Sequence, residues 1–253
     1  MTFSDALPVQ FWLSGCETFN EKEVDGIYSA CFCQPINCDD EITIQFTHTS
    51  GYTYSLLATD EDSNTLFTTP FSQVSSGLYQ ASFTPRAQGL SDSLMRLRVT
   101  DSSNPTLSVA TSDCISVKED HNETILLNYH NNRRFVSIDS SVGTPDPEFN
   151  LRVPAIFFHD RYPRESESID LSNNTSFQNM AQIKRQRRFD VKHMPDYMHL
   201  KLLLILSFHN VTIDGEQWKL DEPYEKAPGN PRYPLKTATT WLTMKNYVVR
   251  NVL

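Results

Sequence analysis

Strict alternation of apolar and polar residues, repeated in separate short runs, constrains this chain more than any other feature. Ile42, Ile44 and Phe46 alternate with Thr43 and Gln45, and Tyr52, Tyr54 and Leu56 with Thr53 and Ser55. Tyr79, Ala81 and Phe83 stop at Pro85; Met95, Leu97 and Val99 alternate with Arg96 and Arg98; Ile125, Leu127 and Tyr129 repeat the pattern. A period of two puts one face of each segment in a core and the other toward water, as antiparallel strands require. Turn clusters such as Asp60-Glu61-Asp62-Ser63-Asn64 and Asp101-Ser102-Ser103-Asn104-Pro105 separate the runs. Strands at this spacing predict an N-terminal antiparallel β-sandwich.

The last third changes character. A strand reads from Phe149 to Phe158, and an almost wholly apolar helix opens at Pro195 and runs through Leu206. Pro suits a first helical turn and Asp196 complements the dipole there. With no polar face to offer water, this helix needs cover from the fold or from other subunits, and Tyr197, Leu200, Leu203 and Leu206 are expected to be buried. Asp214-Gly215 between Ile213 and Glu216 predicts a type I′ hairpin. The polar, proline-bearing stretch Ser140 to Pro147 is the expected boundary between an acidic β-sandwich at 1–143 and a smaller β-rich module at 144–253. The fold expected is therefore mainly β with one buried apolar helix.

The net charge of −9 conceals opposite halves. Residues 1–150 carry 7 Lys and Arg against 20 Asp and Glu, whereas residues 151–253 carry 15 against 11. Opposite signs suit head-to-tail contact between copies or docking onto a charged partner; two unrelated solvated surfaces is the plain alternative. The densest basic run, Lys184-Arg185-Gln186-Arg187-Arg188, is read as a subunit contact formed by Lys184, Arg185, Arg187 and Arg188. A merely solvated stretch or a nucleic-acid contact are the competing readings, and no aromatic residues interleave the cations to stack bases.

Signals for chemistry are weak. Cys31, Cys33, Cys38 and the upstream Cys16 lack the paired knuckles of structural zinc. Without a basic n-region the chain is expected to fold in a reducing cytoplasm with its five cysteines free. Leu13-Ser14-Gly15-Cys16 resembles a lipoprotein cleavage box but has no basic, apolar approach. His159, Asp160, Glu165, Glu167 and Asp170 fit no ligand spacing and read as an acidic loop. With eight glycines and no nucleophile elbow, neither a phosphate loop nor a hydrolase triad is signalled. No enzyme, cofactor or metal is expected. No segment reaches the ~18–20 apolar residues of a membrane span. Trp12, Trp218 and Trp241 could build a sugar platform but read first as core or interface residues.

From about Asp113 to Leu253 the chain resembles little-characterised structural proteins of tailed phages and prophages of the Bacteroidetes. The resemblance rests on Ser112-Asp113-Cys114, Asn128-Tyr129, Leu151-Arg152-Val153-Pro154-Ala155 and Phe157-Phe158-His159. It continues in Met194-Pro195, Tyr197-Met198-His199, Lys201-Leu202, Ile213-Asp214-Gly215, Trp218, Trp241-Leu242-Thr243, Lys245 and Arg250-Asn251. It implies a virion protein, a ring-forming component of the distal tail or baseplate assembled in the host cytoplasm, with copies of itself and other tail proteins as partners. The alternative is an adhesin whose N-terminal sandwich binds a host-surface carbohydrate.

Overall fold

A computed structural model describes residues 1–16, 18–19, 32–48, 52–130, 148–170, 176–228 and 234–251; for 104–108, 166–170, 176–181 and 248–251 it describes the backbone alone. The described residues are mainly β, as the alternation requires, with one α-helix among them. The boundary expected at 140–147 lies outside the described residues.

The first module stacks two sheets. One has the order β1 (Thr2–Phe3), β4 (Ile42–Thr47), β8 (Leu78–Phe83), β7 (Ser72–Ser75). The other runs β2 (Phe11–Leu13), β10 (Asn104–Ser112), β9 (Asp92–Asp101), β5 (Tyr54–Thr59), β6 (Thr65–Pro70). The lower half of β9 also pairs β11 (Ile115–Lys118), which lies parallel to β3 (Gln34–Asn37). Apart from that parallel pair, the strand order matches immunoglobulin-type sandwiches. The alternating residues meet between the sheets: Ile44, Leu56, Leu97 and Val99 are fully buried. Phe46 sits at the centre of an aromatic cluster, 4.8 Å from Phe71, 5.1 Å from Tyr54 and 5.2 Å from Tyr79. Tyr52, expected inside, falls before β5 and stays exposed.

The second module begins earlier than the proline stretch suggested. Strand β12 (Thr124–His130) pairs with β13 (Phe149–Arg161) and β16 (Asn210–Ile213), so it belongs here and not to the sandwich. From β16 the ladder continues to β17 (Glu216–Leu220) and β19 (Leu235–Asn251). Strand β19 then pairs β15 (Ser176–Pro195), and β15 returns to β13. Six antiparallel strands thus close on themselves as a barrel, which leaves no free edge around the ring. Leu127, Phe149, Leu151, Val153, Phe189, Val211, Ile213, Trp218 and Leu242 are fully buried in its core. Two strands hang from the ring: β14 (Arg164–Asp170) on β15 and β18 (Glu225–Lys226) on β19. The expected acidic loop is therefore strand, with His159 at positive φ (61°) where the β13–β15 register shifts. At the β16–β17 turn Asp214 (φ 52°) and Gly215 (φ 77°) make the type I′ hairpin that Asp-Gly demands.

Helix α1 (Asp196–Leu206) follows β15 directly, with Pro195 as the capping residue just outside it. The Asp196 carboxylate at its first turn accepts from Lys226 (2.7 Å) and Lys236 (2.6 Å). One stripe faces the barrel core: Met198, Lys201, Leu202, Ile205 and Leu206. These are positions i, i+3, i+4, i+7 and i+8, a normal buried helical face. Leu206 is buried as expected, Tyr197 packs partly against the core, and Leu203 is half-buried. Leu200 is a correction, since it is 67% exposed. When nearly every position is apolar, composition cannot say which side turns inward.

The modules dock through the first residues of the chain. Ala6 and Leu7 are buried in the barrel-side core, while Val9 and Phe11 belong to the sandwich core. Phe3 packs against both, stacking on Phe11 at 4.7 Å. Beside this wedge Arg152 of β13 grips Asp40 in a fork, Nε to Oδ2 at 2.6 Å and Nη2 to Oδ1 at 2.8 Å. Both side chains are shielded from water, at 12% and 5% exposure.

Candidate functional site

The basic run lies near the middle of β15, where the long strand passes the barrel rim. Because side chains alternate, Arg185 and Arg187 share one face and Lys184, Gln186 and Arg188 the other. Each cation has a carboxylate of its own chain. Lys184 donates to Glu165 at 2.7 Å, and Arg188 to Asp190 at 2.9 Å. Arg185 (2.9 Å) and Arg187 (2.5 Å) both grip Asp160. Hydrogen bonding from Arg187, with Arg185 adding to it, holds the Asp160 carboxyl below its ordinary range despite partial burial. The Arg187 guanidinium lies 5.0 Å from the Phe157 ring centre and 5.4 Å from that of Trp218, so the pair roofs the barrel core. Gln186 is buried and donates to Thr243 at 3.0 Å while accepting from Arg161 at 2.7 Å. These cations stabilise the rim of the fold itself. The sequence marked the charges but not their partners, which come from β13, β14 and β17 and, for Arg188, from β15 itself.

The tryptophans form no sugar platform. Trp218 is fully buried, Trp12 packs edge-on against Tyr197 at 5.9 Å, and the Arg161 guanidinium covers Trp241 at 3.8 Å.

A second polar cluster sits at the module seam. The Lys201 amine, fully enclosed, donates to the Leu7 carbonyl at 2.7 Å. Burial pushes its pKa down to about 7, against a smaller opposing pull from Asp5 and Asp113. Asp113 is buried and accepts the Phe19 N–H at 2.7 Å. The Tyr197 phenol is pushed far upward by burial first and by Asp113 second. On the far side of α1, His199 bonds Tyr224 (2.6 Å) and the Lys236 carbonyl (2.9 Å), and burial lowers its pKa. Lys201 was visible in the sequence as the one charge inside an apolar run, but nothing local shows what it reaches.

Cys33 and Cys114 form a disulfide, which overturns the expectation of free thiols at both positions. They meet because the Gln34 N–H bonds the Cys114 carbonyl as β3 aligns with β11, a contact 81 residues apart in sequence that spacing could not disclose. Cys38 is buried and Cys16 exposed, both as thiols; Cys31 lies outside the described residues. The Leu13 to Cys16 box is a turn after β2, and the residues ahead of it are packed in the two cores. Among the described residues no group of three or more His, Cys, Asp or Glu is placed to hold a metal ion, and no helix is long and apolar enough to cross a membrane.

Beyond the barrel rim, three strands continue outward. The first half of β15 pairs β14 over residues 176–183, and the end of β19 pairs β15 over 248–251. Where this extension leaves the barrel, Met244 to Tyr247 of β19 bulge opposite the single residue Arg185. Lys245 stands in that bulge with its amine buried and, among the described residues, without a hydrogen-bond partner. Burial and the nearby Lys219 lower its pKa, and Lys219 itself already pairs with Asp221 at 2.8 Å. A cavity of ≈ 400 Å³ on the outer sheet face is lined by Ile156, Arg188, Asp190, Lys192, His193 and Thr239, among others. Its acid is taken, since Asp190 holds both Arg188 and Thr239. No family model, curated protein or solved structure matches this chain.

Proposed function

We propose that this chain is a structural, self-associating virion protein, a ring-forming subunit of the distal tail or baseplate of a tailed phage. The observation that carries the reading is where the residues of the phage-protein resemblance fall. Leu151, Val153, Ala155, Met194, Met198, Leu202, Ile213, Trp218 and Leu242 are all buried in the barrel-side core. Arg152, Asp113 and Lys201 from the same set fasten the seam. That these positions are interior and joints supports reading the chain as an architectural component. The conspicuous charges serve the same end, since Arg185 and Arg187 clamp Asp160 over the core. A rigid barrel docked on a sandwich suits a scaffold that carries load and presents edges to neighbours.

The test is imaging of phage particles carrying a label on this protein, together with sedimentation of the purified full chain. Label confined to the distal tail and a discrete oligomer in solution are expected. A monomer that gives a glycan-array signal would replace this reading with the adhesin.

A further inference from the structure

The three-stranded extension ends in two free backbone edges of opposite character. Among the described residues, β14 has a partner only in β15, and β19 beyond Asn246 only in β15. Within the described ladders each therefore presents, from Glu165 in β14 and from Val248 in β19, a row of N–H and C=O groups with no second strand, the feature that templates pairing with another chain. Strand β14 reads Arg-Glu-Ser-Glu-Ser-Ile-Asp, three carboxylates against one guanidinium. From Lys245 to Asn251, β19 reads Lys-Asn-Tyr-Val-Val-Arg-Asn, two cations and no acid. The Lys245 amine beside this edge is withdrawn from water with no acceptor among the described residues, and its neighbour Lys219 repels it. A buried, unpaired cation is costly and marks a place where an anion is missing.

We propose that the free edge of β19 receives β14 of a second copy of this chain, so that the extension continues as one sheet from subunit to subunit. This rests on the ring reading above and names its joint. The occupant follows from charge: the strand that supplies carboxylates to Lys245 is the acidic edge at the other side of the same extension. Identical edges cannot meet, because β14 on β14 would set acid against acid and β19 on β19 cation against cation. The contact is accordingly heterologous, the kind that closes into rings. Its sense is also fixed. Strand β14 is antiparallel to β15 and β15 to β19, so β14 and β19 of one copy run parallel. Rotation about an axis along the strands preserves direction, so the joint between copies is a parallel pair.

The test uses the full chain with sedimentation velocity over a concentration series. Lys245→Glu should raise the concentration for half-assembly by roughly tenfold or more, and Glu167→Lys with Asp170→Lys should do the same. All three changes in one chain should restore assembly, because each edge then meets its reversed complement. Lys245→Gln, which removes the charge at similar length, should fall between wild type and Lys245→Glu. Thermal melting of dilute samples checks that each variant folds. If wild type assembles and neither edge reversal changes it, this joint is wrong while the ring reading stands. If wild type stays monomeric throughout, both fall.

Discussion

Replacing Lys201 by Met tests the seam most sharply, because it keeps the aliphatic stem and removes only the enclosed amine. That amine has a folded pKa of about 7 against an ordinary 10.5. Between those values the unfolded chain holds a proton that the folded chain has given up. Stability from this group therefore rises with pH through that window and is flat below it. At ~1.4 kcal/mol per pKa unit, the wild type should gain about 2 kcal/mol between about pH 7 and about pH 9. In Lys201→Met that gain should vanish. The variant also loses the bond to the Leu7 carbonyl, a penalty of about 1–3 kcal/mol that does not depend on pH. Urea unfolding of both proteins at the two pH values, compared at constant m, separates the terms, and the comparison cancels groups common to both. Parallel pH slopes for wild type and variant would refute the reasoning, since the amine would then be as protonated inside the fold as outside it.

Four further outcomes are expected. Leu202→Ala should cost about 2–5 kcal/mol and Leu200→Ala less than about 0.5 kcal/mol by the same urea assay, because only the first faces the core. Asp40→Asn should cost about 3–5 kcal/mol by leaving Arg152 charged and shielded without its partner, and a melting curve that does not shift would contradict this. Arg187→Glu sets a carboxylate against Asp160, so it should lower the melting temperature of the monomer itself, whatever it does to assembly. Peptide mapping after alkylation of the denatured chain without reductant should label Cys16 and Cys38 but not Cys33 or Cys114, and reduction should cost about 2–4 kcal/mol.

Features whose cause is local were legible in the sequence, and features whose cause is distant were not. The Asp214-Gly215 turn could be read outright because two successive positive φ values are a requirement that few residue pairs meet. Alternation identified β4, β8 and β9 because period two survives any tertiary context. It could not show that β12 crosses into the barrel, because an alternating strand fits either sheet equally well. The helix failed differently. A run of leucines carries no periodic signal, so Leu200 and Leu202 looked alike, and the lone polar residue pointed the wrong way because Lys201 finds its acceptor in the N-terminal wedge. The basic run was visible as charge, but its meaning lay in Asp160, Glu165 and Glu216, on three other strands. Lys245 belongs to the resemblance, but its lack of a hydrogen-bond partner among the described residues shows only in the folded chain.

The wedge between the modules also sets a timetable for biosynthesis. Leu7 emerges first, yet the lysine that bonds it lies 194 residues later. At ~5–20 residues per second the ribosome needs about 10–40 s to deliver that partner. The barrel cannot close in the meantime, because its closing ladder needs β19, which lies beyond Lys201 in the chain. Ala6 and Leu7 therefore remain as exposed apolar surface until β19 is made, although the sandwich strands are complete once Lys118 has emerged. Burial of Ala6 and Leu7 thus waits on strands made long after them, and a chaperone that shelters this segment would act during that interval.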